Sequence, residues 1–227
     1  MAYTDRFKDA PWFKESSKET IIVGGAGGIG SNTLYYMTKT IPAKYYIFDN
    51  DTVVEHNIGT QFFTKDSLSK FKVEAIKTIL TNFGISENNL QIFRDKIDSN
   101  ILPIAIAGFD NMAARKQMYT NWKNLDNREI FIDGRLSANM YQVFTVVKGR
   151  EEWYEKTLFE DSAVAEAPCT FKQTAYFAGL IGARITHLLV NYLSNKYANE
   201  DIFNIPFLVE ESGEPFTIKT CYNYEDI

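Results

Sequence analysis

The sequence predicts an α/β fold: a mostly parallel sheet with helices on both faces, extended by a crossover loop and by a C-terminal helix with an edge hairpin. Three observations predict it. Short apolar or β-branched runs alternate with stretches of helical period, the pattern of repeated strand–helix–strand units. The first run, Ile21-Ile22-Val23, leads directly into a glycine-rich turn in which Gly25, Gly27 and Gly30 satisfy G-x-G-x-x-G spacing. The second run ends at Asp49, 19 residues after Gly30. That lies near the offset of about 20 residues at which a Rossmann-like fold brings a carboxylate to a ribose hydroxyl.

Taken in order, Met1–Glu19 is a polar lead-in with the aromatic anchor Pro11-Trp12-Phe13. Strand one covers roughly Glu19–Val23, and Ser31–Lys39 is an amphipathic helix after the glycines. Strand two is Lys44–Phe48, and Asn50–Thr64 is a loop rich in Asp, Asn and Gly, the composition of ligand-contacting loops. Ser67 is a candidate N-cap for a helix reaching Phe83, with Val73, Ile76, Ile79 and Leu80 as its buried stripe and Gly84 as its stop. Gln91–Arg94, Ile104–Phe109, Glu129–Asp133 and Tyr141–Val147 read as further strands, with a helix at Met112–Trp122. Glu151–Pro168 is acidic and without a clean period, a crossover or lid. Cys169–Asn195 reads as a long helix, and the runs Pro206–Val209 and Phe216–Ile218 as an edge hairpin. No linker-like stretch divides the chain. The expectation is one domain over 1–227, with an arm (1–19), a nucleotide-binding core (20–150), a crossover loop (151–168) and a C-terminal helix and tail (169–227).

Composition bounds the function. The 227 residues are 45% hydrophobic and 23% charged, which suits a chain with a sizeable core. A net charge of -5 gives no global pull toward nucleic acid or an anionic membrane. No apolar run is long enough to span a bilayer, and the polar start does not read as a secretory signal. Two cysteines, Cys169 and Cys221, make neither a disulfide framework nor a four-cysteine zinc site, so a reducing cytoplasm is expected.

Several side chains join the glycine turn as candidates. Glycines let a backbone approach a phosphate, and the N-terminus of the helix that follows supplies free N–H groups and partial positive charge. Asp49 is placed for a ribose. Asp51 is either a phosphate-side or metal-side carboxylate or a turn cap. Asn57 and Gln61 carry amides that orient a phosphate or carbonyl, or are simply loop polarity. Lys72 either reaches phosphates as a point charge or is a solvated helix lysine. Asp110, leaving an apolar strand beside Asn111, suits Mg²⁺ at a triphosphate and suits an N-cap equally. His56 lies in the phosphate-side loop, and His187 reads as structural.

In this order and spacing these features resemble the ThiF/MoeB/HesA family of adenylyltransferases, within the superfamily of the ubiquitin-activating enzymes. The resemblance runs from about Thr20 to Arg115 and resumes near Cys169–Ala183. It implies binding of ATP and Mg²⁺ and adenylation of a carboxylate on a ubiquitin-like protein or a peptide, with pyrophosphate as leaving group. It places Gly28, Asp49, Asn57, Gln61, Lys72, Asp110 and Asn111 at nucleotide positions, with Mg²⁺ on Asp110 and phosphates on Lys72. It also implies a homodimer.

The chain departs from the family's pattern in places. Thr60 stands where the family carries an arginine in Asn-x-x-Arg-Gln, which removes one cation from the triphosphate site. Arg135, or Arg6 reaching across a dimer, are candidate replacements. The Cys-x-x-Cys pairs of many members are absent, so no structural zinc is expected. Cys169 falls where some members carry a reactive cysteine, and it is either a nucleophile or a buried core residue. The competing functions are an NAD-dependent oxidoreductase, which the glycine turn and Asp49 would serve equally, and a non-catalytic nucleotide-binding scaffold.

Overall fold

The computed structural model describes residues 6–97, 101–160 and 174–227. Among them, eight strands form one sheet in the order β3-β2-β1-β4-β5-β6-β7-β8. The strands are β1 Thr20–Gly24, β2 Lys44–Phe48, β3 Leu90–Phe93, β4 Ile104–Ala107, β5 Ile130–Ser137, β6 Met140–Val147, β7 Leu208–Gly213 and β8 Phe216–Cys221. The first five run parallel, and β6, β7 and β8 continue the sheet antiparallel. The crossover order places β1 between β2 and β4, so chain direction across the sheet reverses at β1. In such sheets ligands bind beyond the carboxyl ends of the strands at that reversal.

Strand periodicity divides the core in two. Ile21 and Val23 of β1, Ile104 and Ile106 of β4, and Ile130 and Ile132 of β5 point to one face. There they meet helices α2 (Gly28–Thr40), α4 (Lys72–Asn82) and α7 (Ala175–Ala198). Ile22, Ala105, Ala107 and Phe131 point the other way, toward α5 (Met112–Lys123) and α6 (Glu151–Glu155). Two short helices complete the set, α1 (Phe13–Ser16) and α3 (Glu55–Ile58). The α2–α7 crossing is close because Gly182 faces the α2 backbone: a Cβ there would lie 2.8 Å from Thr33 N.

The structure moves several expected boundaries. Helix α2 begins at Gly28, inside the glycine motif, because the last glycines already have helical geometry. Helix α4 begins at Lys72; Ser67 instead closes a separate 3-10 turn with Thr64. Helix α3 occupies part of the expected loop, and α6 occupies the start of the expected crossover. The long C-terminal helix α7 starts at Ala175 with Thr174 in the N-cap position, and the first residues of the expected helix, 169–173, lie outside the described residues. The expected strand Glu129–Asp133 extends to Ser137 and turns back through Ala138, whose φ is 50°, into β6. The edge hairpin is present as β7–β8. Among the described residues no helix is long and apolar enough to cross a membrane.

Candidate functional site

The glycine turn is held by contacts that exclude side chains. Gly25 has φ +88°, and its N–H donates to Phe48 O at 2.9 Å. A Cβ on Gly25 would sit 2.8 Å from Gly108 O, and one on Gly30 only 1.8 Å from Gly25 O. Gly108 in turn packs on Gly30, where a Cβ would come within 3.1 Å of Gly30 N. The ends of β1 and β4 and the first turn of α2 are thus pressed together backbone to backbone. The first intrahelical bond of α2 runs from Ser31 N to Gly27 O at 2.9 Å. The amides of Gly28, Ile29 and Gly30 therefore precede the helical ladder, the arrangement that receives anions.

Asp49 braces this turn from the end of β2. Its Oδ2 accepts from Ala26 N at 2.7 Å and its Oδ1 from Asp51 N at 2.8 Å. Burial pushes its carboxyl pKa above the ordinary aspartate value; Lys72 and the two amides oppose the rise without cancelling it.

Lys72 reaches the same corner from another direction. Residues 51–53 pair locally with 70–72, through Val53 N to Lys70 O and Lys72 N to Asp51 O, both 2.9 Å. This places Lys72 Nζ 2.8 Å from Asp51 Oδ2. The Lys72 side chain is 11% exposed, so it is not a solvated helix lysine. The opposite expectation for Asp51, a bare turn cap, gives way to an exposed carboxylate paired with a buried cation.

Asn57 is buried, and its Oδ1 accepts from Val54 N at 3.0 Å, closing the start of α3. Gln61 stands beside the glycine turn: a Cβ on Gly27 would lie 3.9 Å from its Nε2. Its Oε1 is buried and has no hydrogen-bond partner among the described residues. The loop carrying it is tied to α2 by Phe62 N donating to Ser31 Oγ at 3.0 Å and by Phe62 stacked on Tyr35 at 4.5 Å.

At the end of β4, Asn111 caps α5: its Oδ1 accepts from Ala114 N at 2.8 Å. The cap expected of Asp110 is therefore supplied by its neighbour. Asp110 is exposed, and its Oδ1 accepts from Asn111 Nδ2 at 3.2 Å.

The structure does not bring every candidate to this corner. Arg135 lies on the α5–α6 face of β5. Its Nε donates to Asp133 Oδ2 at 2.8 Å, and its two Nη atoms donate to Thr157 O and Oγ1 at 2.9 and 3.0 Å. All three nitrogens of its fork thus have partners on this face. Arg6 and His56 are exposed. His187 lies on the outer face of α7 beside Arg184 and Asn191. Cys169 lies outside the described residues. Cys221 is buried and free, its Sγ 3.3 Å from Asp226 O. No group of three His, Cys, Asp or Glu able to hold a metal occurs among the described residues.

Four residues of this region escaped the sequence reading: Gly108, Arg115, Asp133 and Tyr154. Asp133, the last residue of β5 paired with β4, is fully buried and accepts from Arg115, Arg135 and Tyr154. A signal for it was present, since an aspartate closes the apolar run Ile130-Phe131-Ile132 and a buried carboxylate requires partners. A glycine between Ala107 and the Asp110-Asn111 pair was the corresponding signal for Gly108.

Comparison with known proteins places the family and the fold. The ThiF family model matches residues 9–215. The SUMO-activating enzyme subunit uba-2 of Caenorhabditis elegans is 27% identical over 162 residues, 68% of this chain. Ubiquitin-like modifier-activating enzyme 5 of Drosophila willistoni is 36% identical over 101 residues, 42% of this chain. The matched regions are 28% and 25% of those proteins' lengths, so this chain corresponds to a part of each. Among solved structures, E. coli MccB superposes with a TM-score of 0.71 at 13% identity, covering 98% of this chain and 69% of MccB. MccB with ATP gives 0.70 at 15%, covering 97% and 70%. PaaA gives 0.69 at 15%, covering 92% and 65%. These likenesses establish the shared fold.

Proposed function

The chain belongs to the ThiF family, and from that premise we propose that it is an ATP-dependent adenylyltransferase activating the C-terminal carboxylate of a ubiquitin-like protein or a peptide. In the reaction, a carboxylate oxygen bonds to the α-phosphorus of ATP and the bond to the β-phosphate breaks. An acyl-adenylate and pyrophosphate result. The observation that carries this reading is the corner where Gly25–Gly30, Asp49, Lys72 and Gln61 converge. The cradle fits a phosphate chain, because its glycines leave no room for side chains and its first-turn amides lie ahead of the helical ladder. The orphaned Gln61 Oε1 beside Gly27 is a polar atom in want of a partner.

The residues also fit magnesium. A Mg²⁺ ion beside a nucleotide takes one or two carboxylates and fills its shell with phosphates and water, so Asp110 would suffice without a wider acidic cluster. Bound there, the ion supplies Lewis-acid stabilisation of charge on the phosphate oxygens. The chain's own residues do the rest. Asp49 holds the turn in shape and presents its remaining lone pairs to a ribose. Lys72 would offer the phosphates an ammonium with little solvent around it, sharing or exchanging its Asp51 partner. Asn111 fixes the start of α5 and so the position of Asp110. The homodimer and the cytoplasmic setting expected from the sequence belong to this proposal too, as does the division into an arm, core, crossover and tail.

Substrate-dependent exchange of pyrophosphate into ATP tests the reading. We expect exchange only with acceptors ending in a free carboxylate, and none when that terminus is amidated. Lys72→Ala is expected to slow exchange by about 10²–10³, the usual cost of removing one group that stabilises transition-state charge. In thermal melts, magnesium-ATP should raise the melting temperature. Stabilisation by NAD alone would overturn the proposal in favour of an oxidoreductase.

A further inference from the structure

The side chain of Arg115 is buried, yet it lines no part of the glycine corner. It leaves the first turn of α5 and turns back under the end of β4. Its Nε donates to Asp133 Oδ1 at 2.5 Å. Its Nη2 donates to Phe109 O at 2.7 Å and to Gly134 O at 3.1 Å. Phe109 is the residue immediately before Asp110, so one guanidinium ties the peptide that carries Asp110 to the interior of the neighbouring strand β5. Asp133 is itself immobilised: Arg135 Nε and Tyr154 Oη reach its Oδ2 at 2.8 and 3.0 Å. A planar fork meeting three acceptors holds geometry in a way that a single ammonium does not.

We propose that Arg115 is a positioning residue: it fixes the Phe109–Asp110 peptide through Asp133 and Gly134, and thereby sets the affinity of Asp110 for the magnesium of a magnesium–nucleotide substrate. The second half of this inference rests on the adenylyltransferase reading; the first half does not. Arg115 touches neither metal nor nucleotide in this scheme. Its effect passes through the backbone of Phe109, as groups behind a ligand commonly govern the ligand's aim.

Arg115→Lys is the deciding variant, since it keeps the charge against Asp133 and loses the fork. Hydrogen exchange on the unliganded full chain reads the first half. Amides of residues 108–114 should exchange about tenfold faster or more, with those of β6 and α7 unchanged. Magnesium titration of pyrophosphate–ATP exchange, and of nucleotide-dependent thermal stabilisation, reads the second half. The magnesium concentration at half-effect should rise about 10- to 100-fold, while turnover at saturating magnesium changes far less. Asp110→Asn should show the same magnesium shift, and the double variant should add little to it, because both act on one ligand. Should Arg115→Lys fail to fold, Tyr154→Phe loosens Asp133 while keeping the ring packed, and is expected to move both readouts in the same direction by less.

A uniform loss of stability with magnesium dependence unchanged would overturn the proposal and leave Arg115 a structural brace. If the parent binds no magnesium-ATP but local exchange still rises in the variant, the adenylyltransferase reading falls and the hold of Arg115 on Asp110 stands. If the parent responds to magnesium-ATP and the variant behaves identically in both assays, the hold falls and the function stands.

Discussion

Strands β4 and β8 belong to one sheet and differ in almost everything else. All four residues of β4, Ile104–Ala107, are buried, because helices cover both faces of the parallel half. Five of the six residues of β8 are exposed, and Phe216 is 72% exposed. A strand buried on both faces has no room for polar chemistry along its length. Polar groups in the parallel half are therefore pushed to the strand ends and the turns after them, where Gly25, Asp49 and Asp110 stand; Asp133, inside β5, is buried only because it is fully paired. The edge strand β8 has no such pressure, and polar pairs already lie along the neighbouring antiparallel strands, as with Gln142 and Glu210 between β6 and β7. The lesson is that tolerance to substitution should change steeply across the sheet.

The largest effect expected is at Gly30. A Cβ 1.8 Å from Gly25 O cannot be relieved by moving a flexible side chain. Gly30→Ala should therefore destabilise by more than about 4 kcal/mol or yield no folded chain, read by soluble yield and urea melts. A well-folded Gly30→Ala variant would break the comparison outright. Asp133→Ala comes next. It leaves the Arg115 and Arg135 forks facing each other without the buried carboxylate between them. A loss of about 3–5 kcal/mol is expected, the cost of stranding a buried charge.

A subtler contrast concerns two carboxylates held in opposite ways. Asp49 titrates above the ordinary aspartate value because burial outweighs its partners. Burial also pulls Glu151 upward, but its own backbone N–H, the Arg128 fork and Gly149 N win, and it titrates below 4.5. The signs follow from linkage. Ionised Glu151 stabilises the fold above its unfolded value, and that contribution is lost as pH falls through the folded one. Ionised Asp49 costs stability above its folded value, and the cost disappears as pH falls toward 3.8. As the pH is lowered from 6 to 3, the parent should lose stability relative to Glu151→Gln and gain it relative to Asp49→Asn, measured by urea unfolding at each pH. Slopes of the same sign would show that the site carboxylate is no different from one that only holds structure.

Least affected should be Ile218→Lys, half-exposed on the edge strand β8. Its stability should stay within about 0.5 kcal/mol of the parent, and a larger loss would show that the edge is covered in solution.

The parts of the fold that were legible in the sequence are those built from neighbours in the chain. β1, the glycine turn and α2 follow one another within 21 residues, from Thr20 to Thr40, and each leaves a local mark. β-branched residues mark the strand, glycines mark the tight approach, and a 3.6-residue period marks the helix. The sequence left the start of α7 unmarked, because Thr174 holds the N-cap position without a side-chain cap and without the Ser/Thr-x-x-Glu signal that marks many helix starts. Helices α3 and α6 were missed because four or five residues are too few to show a period.

By itself, then, the sequence determined the order of the strands and the longer helices, the turn at Gly25–Gly30, and the arrival of Asp49 and Asp110 beyond strand ends. Only the tertiary structure decided which partner each polar side chain would find. Lys72 meets Asp51 across 21 residues, Arg115 meets Asp133 across 18, and Arg135 turns to Thr157 across 22. Spacing along a chain fixes which face of its own element a residue occupies. It carries no information about which other element will be packed against that face, and in a buried corner that neighbour decides whether a charge is free to bind or already paired.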